Sequence, residues 1–243
     1  MSKQLLFYEL ATPISKARHG NWSIDAGGYG FAADVNSVPL MTTEFMAGAH
    51  EYPIAFSSGD AGVTPIAILG LDANKSLFAG ADGNWTATYI PAFVRRYPFV
   101  FSASENGDTL TLCLDEAYEG CDRQGKRGQK LFDDKGERTP YLQSMLAFTQ
   151  AFQAEQVRSV KFGNLLRDLD LLEPSHAQMT LPGGGERSLR GFDCVSRERL
   201  KALSPDKIAE LMATDALELI YLHLYSMRNF DDLMRKFPLQ GIV

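Results

Sequence analysis

The chemistry-bearing residues of this 243-residue chain are densest between Trp85 and Phe101, where aromatic rings surround the adjacent pair Arg95-Arg96 between Pro91 and Pro98. Guanidinium groups set among rings suit recognition of a carboxylate, a phosphate or a peptide, through bidentate hydrogen bonds and stacking. Trp85, Tyr89, Arg95, Arg96 and Tyr97 are therefore the candidate contacts to a small anionic or peptide ligand or to a protein partner. Adjacent residues project differently in either regular structure, so at least one of the two arginines can turn inward. The structural alternative, which ion-pair scaffolds favour, pairs that arginine with an acid such as Glu44 or Asp115 beneath an aromatic core. Replacing it by Ala would then strand a buried acid at about 3 to 5 kcal/mol. A catalytic site would need a polar pocket gathered from distant positions, with Glu44, Asp115 and His223 beside the arginines.

Other motifs carry less. Gly28-Tyr29-Gly30-Phe31-Ala32-Ala33 matches the G-x-G-x-x-A dinucleotide fingerprint, but loop and strand residues follow it where a helix is required. Gly183-Gly184-Gly185 lacks the Lys-Ser/Thr of a phosphate loop and reads as a flexible turn between two strands. The four histidines, at 19, 50, 176 and 223, show no metal-ligand spacing, so no metal and no cofactor is expected. His223 lies one turn from Leu219, Ile220 and Met227 and reads as a hydrogen-bonded core histidine, although a buried imidazole can also serve as a proton switch. Cys113 in an apolar run reads as a small hydrophobe, and three cysteines without paired spacing form no disulfide framework. The loop bearing Arg123, Lys126, Arg127 and Lys130 is diluted by Glu119, Asp122, Asp133 and Asp134, so it reads as solvated and not as a nucleic-acid contact.

The elements that must position these residues differ along the chain. Up to residue 121 the net charge is −7, and beyond it +1. The first half holds short β-branched or aromatic runs between turn signals, predicting strands at 53–57, 64–71, 85–90, 99–103 and 109–115 with a turn at Asp82-Gly83. Runs this close leave no room for crossover helices, so the sheet should be mainly antiparallel. A short helix over 43–50, capped by Thr42, interrupts them. From Thr139 the spacing of Leu142, Met145, Leu146, Phe148 and Phe152 makes one core-facing helical stripe. A second helix is expected over 160–172, ended by Pro174, then a strand over 188–195. Helices opened by Ser204-Pro205, Asp215 and Asn229 follow, the middle one buried on most sides.

The fold expected is α+β: one domain over 1–243, with a β-rich part to about 118, a loop over about 119–138 as the seam, and a helix-rich part from 139 completing a shared core. Composition, at 45% hydrophobic and 22% charged, excludes disordered and fibrous classes. The longest uncharged stretch, Thr139 to Ala154, is too short for a membrane span, and Glu9 and Pro13 interrupt any Sec signal. A cytoplasmic location is expected, with a non-Sec route to the surface left open.

A family resemblance rests on Glu51-Tyr52-Pro53-Ile54-Ala55-Phe56, Ala81-Asp82-Gly83-Asn84-Trp85 and the block Tyr89-Ile90-Pro91-Ala92-Phe93-Val94-Arg95-Arg96-Tyr97-Pro98-Phe99. Cys113-Leu114-Asp115-Glu116, Leu189-Arg190-Gly191-Phe192 and Tyr221-Leu222-His223-Leu224-Tyr225 extend it over nearly the whole chain. In these blocks the sequence resembles the bacterial SapC family, whose name comes from an association with surface-layer genes. The resemblance implies kinship without assigned catalytic residues. The function expected is a non-catalytic bacterial binding or accessory protein, surface-layer or export associated. The alternative is an enzyme using Arg95, Arg96, Asp115, Glu44 and His223.

Overall fold

The structure is a computed structural model that describes residues 6–80, 82–103, 109–180 and 186–236. The triglycine at 183–185, read above as a turn, lies outside these residues. In chain order the strands are β1 (Ala11–Pro13), β2 (Ser23–Ile24), β3 (Ser37–Pro39), β4 (Ile54–Gly59), β5 (Gly62–Ile68), β6 (Phe99–Ala103), β7 (Leu110–Asp115), β8 (Cys121–Asp122), β9 (Gln129–Lys130), β10 (Leu172–Thr180) and β11 (Glu186–Val195). The helices are α1 (Lys16–His19), α2 (Phe45–Gly48), α3 (Ala92–Arg95), α4 (Pro140–Asp168), α5 (Arg197–Lys201), α6 (Pro205–Ala213), α7 (Ala216–Ser226) and α8 (Asn229–Lys236).

The fold is α+β, and its described strand pairings are antiparallel. Three sheets form, in the orders β1-β7-β6, β10-β11-β4-β5-β3 and β8-β2-β9. The five-stranded sheet joins both halves of the chain, because the second half contributes the β10-β11 hairpin as well as helices. The expected seam at 119–138 is instead folded onto the N-terminal part, since β8 and β9 flank β2. Asp122 shapes that loop by accepting from the backbone N–H groups of Gln124, Lys126 and Arg127, and those bonds hold its carboxyl below the usual range.

Helix α4 is one continuous element of 29 residues where two were expected. Thr139 caps it and Pro140 occupies its first turn. Its inward face narrows to Ser159, which bonds Thr42, and to Gly163 where β5 crosses, and a Cβ at Gly163 would lie 2.1 Å from the Val63 carbonyl oxygen. Pro174 ends no helix. It sits on β10, an edge strand whose described pairing is with β11 alone, and an edge tolerates the missing N–H.

Other expectations are also corrected. Residues 85–90 form no strand, and only an isolated bridge, Ala79 to Trp85, closes the turn before them. The helix expected over 43–50 is a short 3-10 turn, Thr42–Glu44, running into α2, and the Glu44 carboxylate rather than Thr42 caps it by accepting from the Met41 N–H. Helix α7 is buried on one face only, with Tyr221 and Tyr225 exposed on the other. The main core gathers Phe45, Tyr52, Phe56 and Phe78 with residues of α4, α7 and β11, and a smaller core packs Trp22, Phe99, Leu114 and Leu131. Among the described residues no helix is long and apolar enough to cross a membrane.

Candidate functional site

The Trp85–Tyr97 segment is positioned by two carboxylates and a tyrosine instead of a strand ladder. Glu51 accepts from the backbone N–H groups of Thr88 and Tyr89 at 2.9 to 3.0 Å. Glu44, buried beneath, accepts from the Met41 N–H at 2.8 Å, and from the Tyr89 hydroxyl and the Ala92 N–H at 2.7 Å each. The Trp85 indole N–H donates to the Tyr52 hydroxyl at 2.8 Å, and that hydroxyl donates to the Tyr89 carbonyl. These bonds account for the backbone polarity of the segment without a partner strand.

The two arginines diverge, as adjacent residues must. Arg95 is exposed: its Nε donates to the Ile90 carbonyl at 2.9 Å, and its guanidinium lies 5.8 Å from the Tyr89 ring centroid and 5.3 Å from that of Phe148. Arg96 is only 4% exposed, with its guanidinium 4.3 Å from the Phe152 centroid and 4.5 Å from that of Phe93. Its nearest polar partner is the Tyr8 side chain, its Nε has no hydrogen-bond acceptor, and burial pushes its pKa down. The expected ion pair with Glu44 or Asp115 does not form. Glu44 is occupied as above, and Asp115, fully buried at the end of β7, accepts from the N–H groups of Glu9, Leu10 and Ala117 and from the Tyr97 hydroxyl at 3.2 Å.

Burial and the Asp115 charge push the Tyr97 hydroxyl above its ordinary range, so it stays a neutral donor. The Tyr8 hydroxyl likewise turns inward and donates to the Phe99 carbonyl at 2.7 Å. Their rings therefore present carbon to the outside. Tyr97 packs 4.2 Å from Phe31, 5.1 Å from Tyr118 and 5.2 Å from Phe7, centroid to centroid. This aromatic group lines an open cleft of about 790 Å³. Two glycines form part of its wall: Gly28 at φ +74 and Gly83 at φ +78 face each other, and a Cβ on either would come within 3.3 Å of the other backbone. The Tyr29 N–H donates to the Gly83 carbonyl at 2.6 Å and locks the two loops together.

A family model described as SapC matches residues 14–233. The chain belongs to the SapC family. Among curated proteins and among solved structures, nothing matches it. The family supplies no residue roles, so those of this SapC chain rest on its own geometry.

The residues singled out from sequence fall into three places. Trp85, Tyr89, Arg95 and Glu44 share one bonded unit; Tyr97 lines the cleft, with Asp115 buried behind its hydroxyl and Arg96 buried against Phe93 and Phe152. His223 is elsewhere, fully buried between α7 and the five-stranded sheet. Its Nε2 accepts from the Val195 N–H at 3.0 Å, so Nδ1 carries the hydrogen and donates to the Ile54 carbonyl at 2.7 Å. Burial lowers its pKa to about 4. Glu44, Asp115 and His223 thus share no partner, and none of them lines the cleft. Burial also raises the pKa of all three thiols, with Cys194 near 11, which makes them poor nucleophiles. Among the described residues no three His, Cys, Asp or Glu side chains converge as metal ligands.

Sequence reasoning missed Tyr8, Phe31 and Tyr118 as walls of the cleft. A signal existed for Phe31. Gly28-Tyr29-Gly30-Phe31 is notable as a glycine loop, and its Gly28 serves close approach to the Gly83 backbone, with Gly30–Ala32 forming a short 3-10 turn in place of a phosphate-binding helix.

Proposed function

We propose that this SapC-family protein is a non-catalytic binding or accessory protein, and that its recognition surface is the cleft walled by Phe31, Tyr97 and Tyr118. One observation carries the reading. Glu44, Asp115 and His223, the acid–base candidates expected from sequence, are engaged by the chain's own hydrogen-bonding groups, whereas Phe31, Tyr97 and Tyr118 line a cavity of ligand size. Glu44 and Asp115 bonded in this way position the Tyr89–Tyr97 segment, and moving a proton through any of the three would break a bond that holds the fold. An accessory role in the bacterial cytoplasm, beside surface-layer or export machinery, is the form suggested by the family's name.

The experiment is native mass spectrometry of the protein purified gently from its own host. The reading expects a stoichiometric non-covalent component, retained by the wild type and lost from Phe31→Leu when circular dichroism shows the variant folded. A component that the protein converts to a different mass on incubation would overturn it in favour of catalysis.

A further inference from the structure

We infer that the cleft takes an organic cation, an alkylammonium or guanidinium group seated against the aromatic wall; the inference rests on the reading of the cleft as the recognition site. The lining has one sign. Among the described residues Glu9, Asp34, Asp82 and Glu119 contribute to it, and no Lys, Arg or His does. Glu9, Asp34 and Glu119 are exposed, and their carboxylates make no ion pair and accept no hydrogen bond among the described residues, unlike Asp82, which is engaged by Asn84. Some surface acids elsewhere are paired, with Arg158, Arg199 and Lys207 for example, whereas these three are unpaired and gathered on one cavity.

The wall adds a second and independent preference. All three tyrosine hydroxyls at the cleft are committed to the protein: Tyr8 donates to the Phe99 carbonyl, Tyr97 to Asp115, and Tyr118 to the Asp25 carbonyl at 3.2 Å. None is free to donate to a ligand. Among the lining side chains, what remains for a ligand is aromatic ring, whose face carries negative quadrupole, and carboxylate, which only accepts. A group that satisfies both must be positively charged and rich in donors or C–H surface. An anion would meet four acidic residues and no cation. The volume, about 790 Å³, holds more than one methylammonium-sized head and admits a chain bearing several.

Two sources share this chemistry, a free polyamine and the basic side chains of a polypeptide, and calorimetric titration with spermidine and with the tripeptide acetyl-Lys-Lys-Lys-amide distinguishes them. The full-length protein should bind at least one, and the better binder identifies the source. The double variant Asp34→Asn, Glu119→Gln alters exposed side chains that make no bond, so its fold is retained, and it should bind at least tenfold more weakly. Phe31→Leu, which leaves the charge intact, should weaken binding several-fold and should also weaken binding of tetramethylammonium, which has no hydrogen to donate. Failure of both cations to bind the wild type at millimolar concentration would overturn the inference, as would equal binding by wild type and the double variant. Retention of a different host component that is lost from Phe31→Leu would leave the cleft as the recognition site and remove only the cation.

Discussion

Acidification should reveal His223 as a structural histidine. In the folded protein its pKa is about 4, and in the unfolded chain it takes the ordinary value of 6.5. The folded value is the lower one, so the contribution is complete above pH 6.5 and is lost as pH falls through about 4. Between these limits the unfolded state binds one proton more, and each pH unit removes about 1.4 kcal/mol, giving about 3 kcal/mol in total. The physical cause is that protonated Nε2 could no longer accept from the Val195 N–H and would bury a charge between α7 and β11. Urea unfolding of wild type and His223→Gln, measured from pH 7.5 to 5, isolates the effect because carboxylates remain ionised over most of that range. The wild type should lose about 2 kcal/mol more than the variant between pH 6.5 and 5. Parallel curves for the two proteins would refute the assignment of a neutral, doubly bonded imidazole.

Three further substitutions test the positioning network. Glu44→Ala strands the Tyr89 hydroxyl and the N–H groups of Ala92 and Met41, and should cost about 3 kcal/mol or more in urea unfolding; a loss below about 1 kcal/mol would mean that the carboxylate does not hold the segment. Arg96→Met should change stability by no more than about 1 kcal/mol, because the guanidinium sits among Phe93 and Phe152 with no acid to strand, and a loss of about 3 to 5 kcal/mol would restore the ion pair expected from sequence. Gly163→Ala should lower the melting temperature by several degrees, because its Cβ would meet the Val63 carbonyl and push α4 off β5.

Much of the fold was legible because its local signals agree with its packing. The strand at Phe99–Ala103, the turn at Gly83, the onset of a helix at Thr139 and the cap at Ser204 lie where residue type alone put them. The failures have specific causes. Residues 155–159 look like a break between two helices, yet α4 runs through, with Ser159 bonded to Thr42 and Gly163 against Val63 of β5, and Pro174 resembles a helix stop until β10 proves to be an edge strand. Trp85 to Ile90 has strand composition, yet its amides at Thr88 and Tyr89 find the Glu51 carboxylate, a partner some forty residues away that no local pattern reveals. The same holds at the site. That one of the two arginines turns inward was legible, but not that it is Arg96, and composition could not tell an acid partner from an aromatic box. The cleft joins residues near 7, 30, 97 and 118, and only tertiary packing brings them together.

The central claim is that this cleft, and not another surface, is where the protein recognises its ligand. The exposed Tyr221–Tyr225 face of α7, where Arg228 stacks 4.1 Å from the Tyr225 centroid, is the natural competitor. Hydrogen–deuterium exchange, compared between host-purified protein carrying its component and the same protein stripped of it, separates the two. The account predicts protection at residues 27–34, 82–97 and 117–120 with α7 unchanged. Protection confined to α7 and α2, with the cleft segments exchanging at equal rates in both samples, would contradict it.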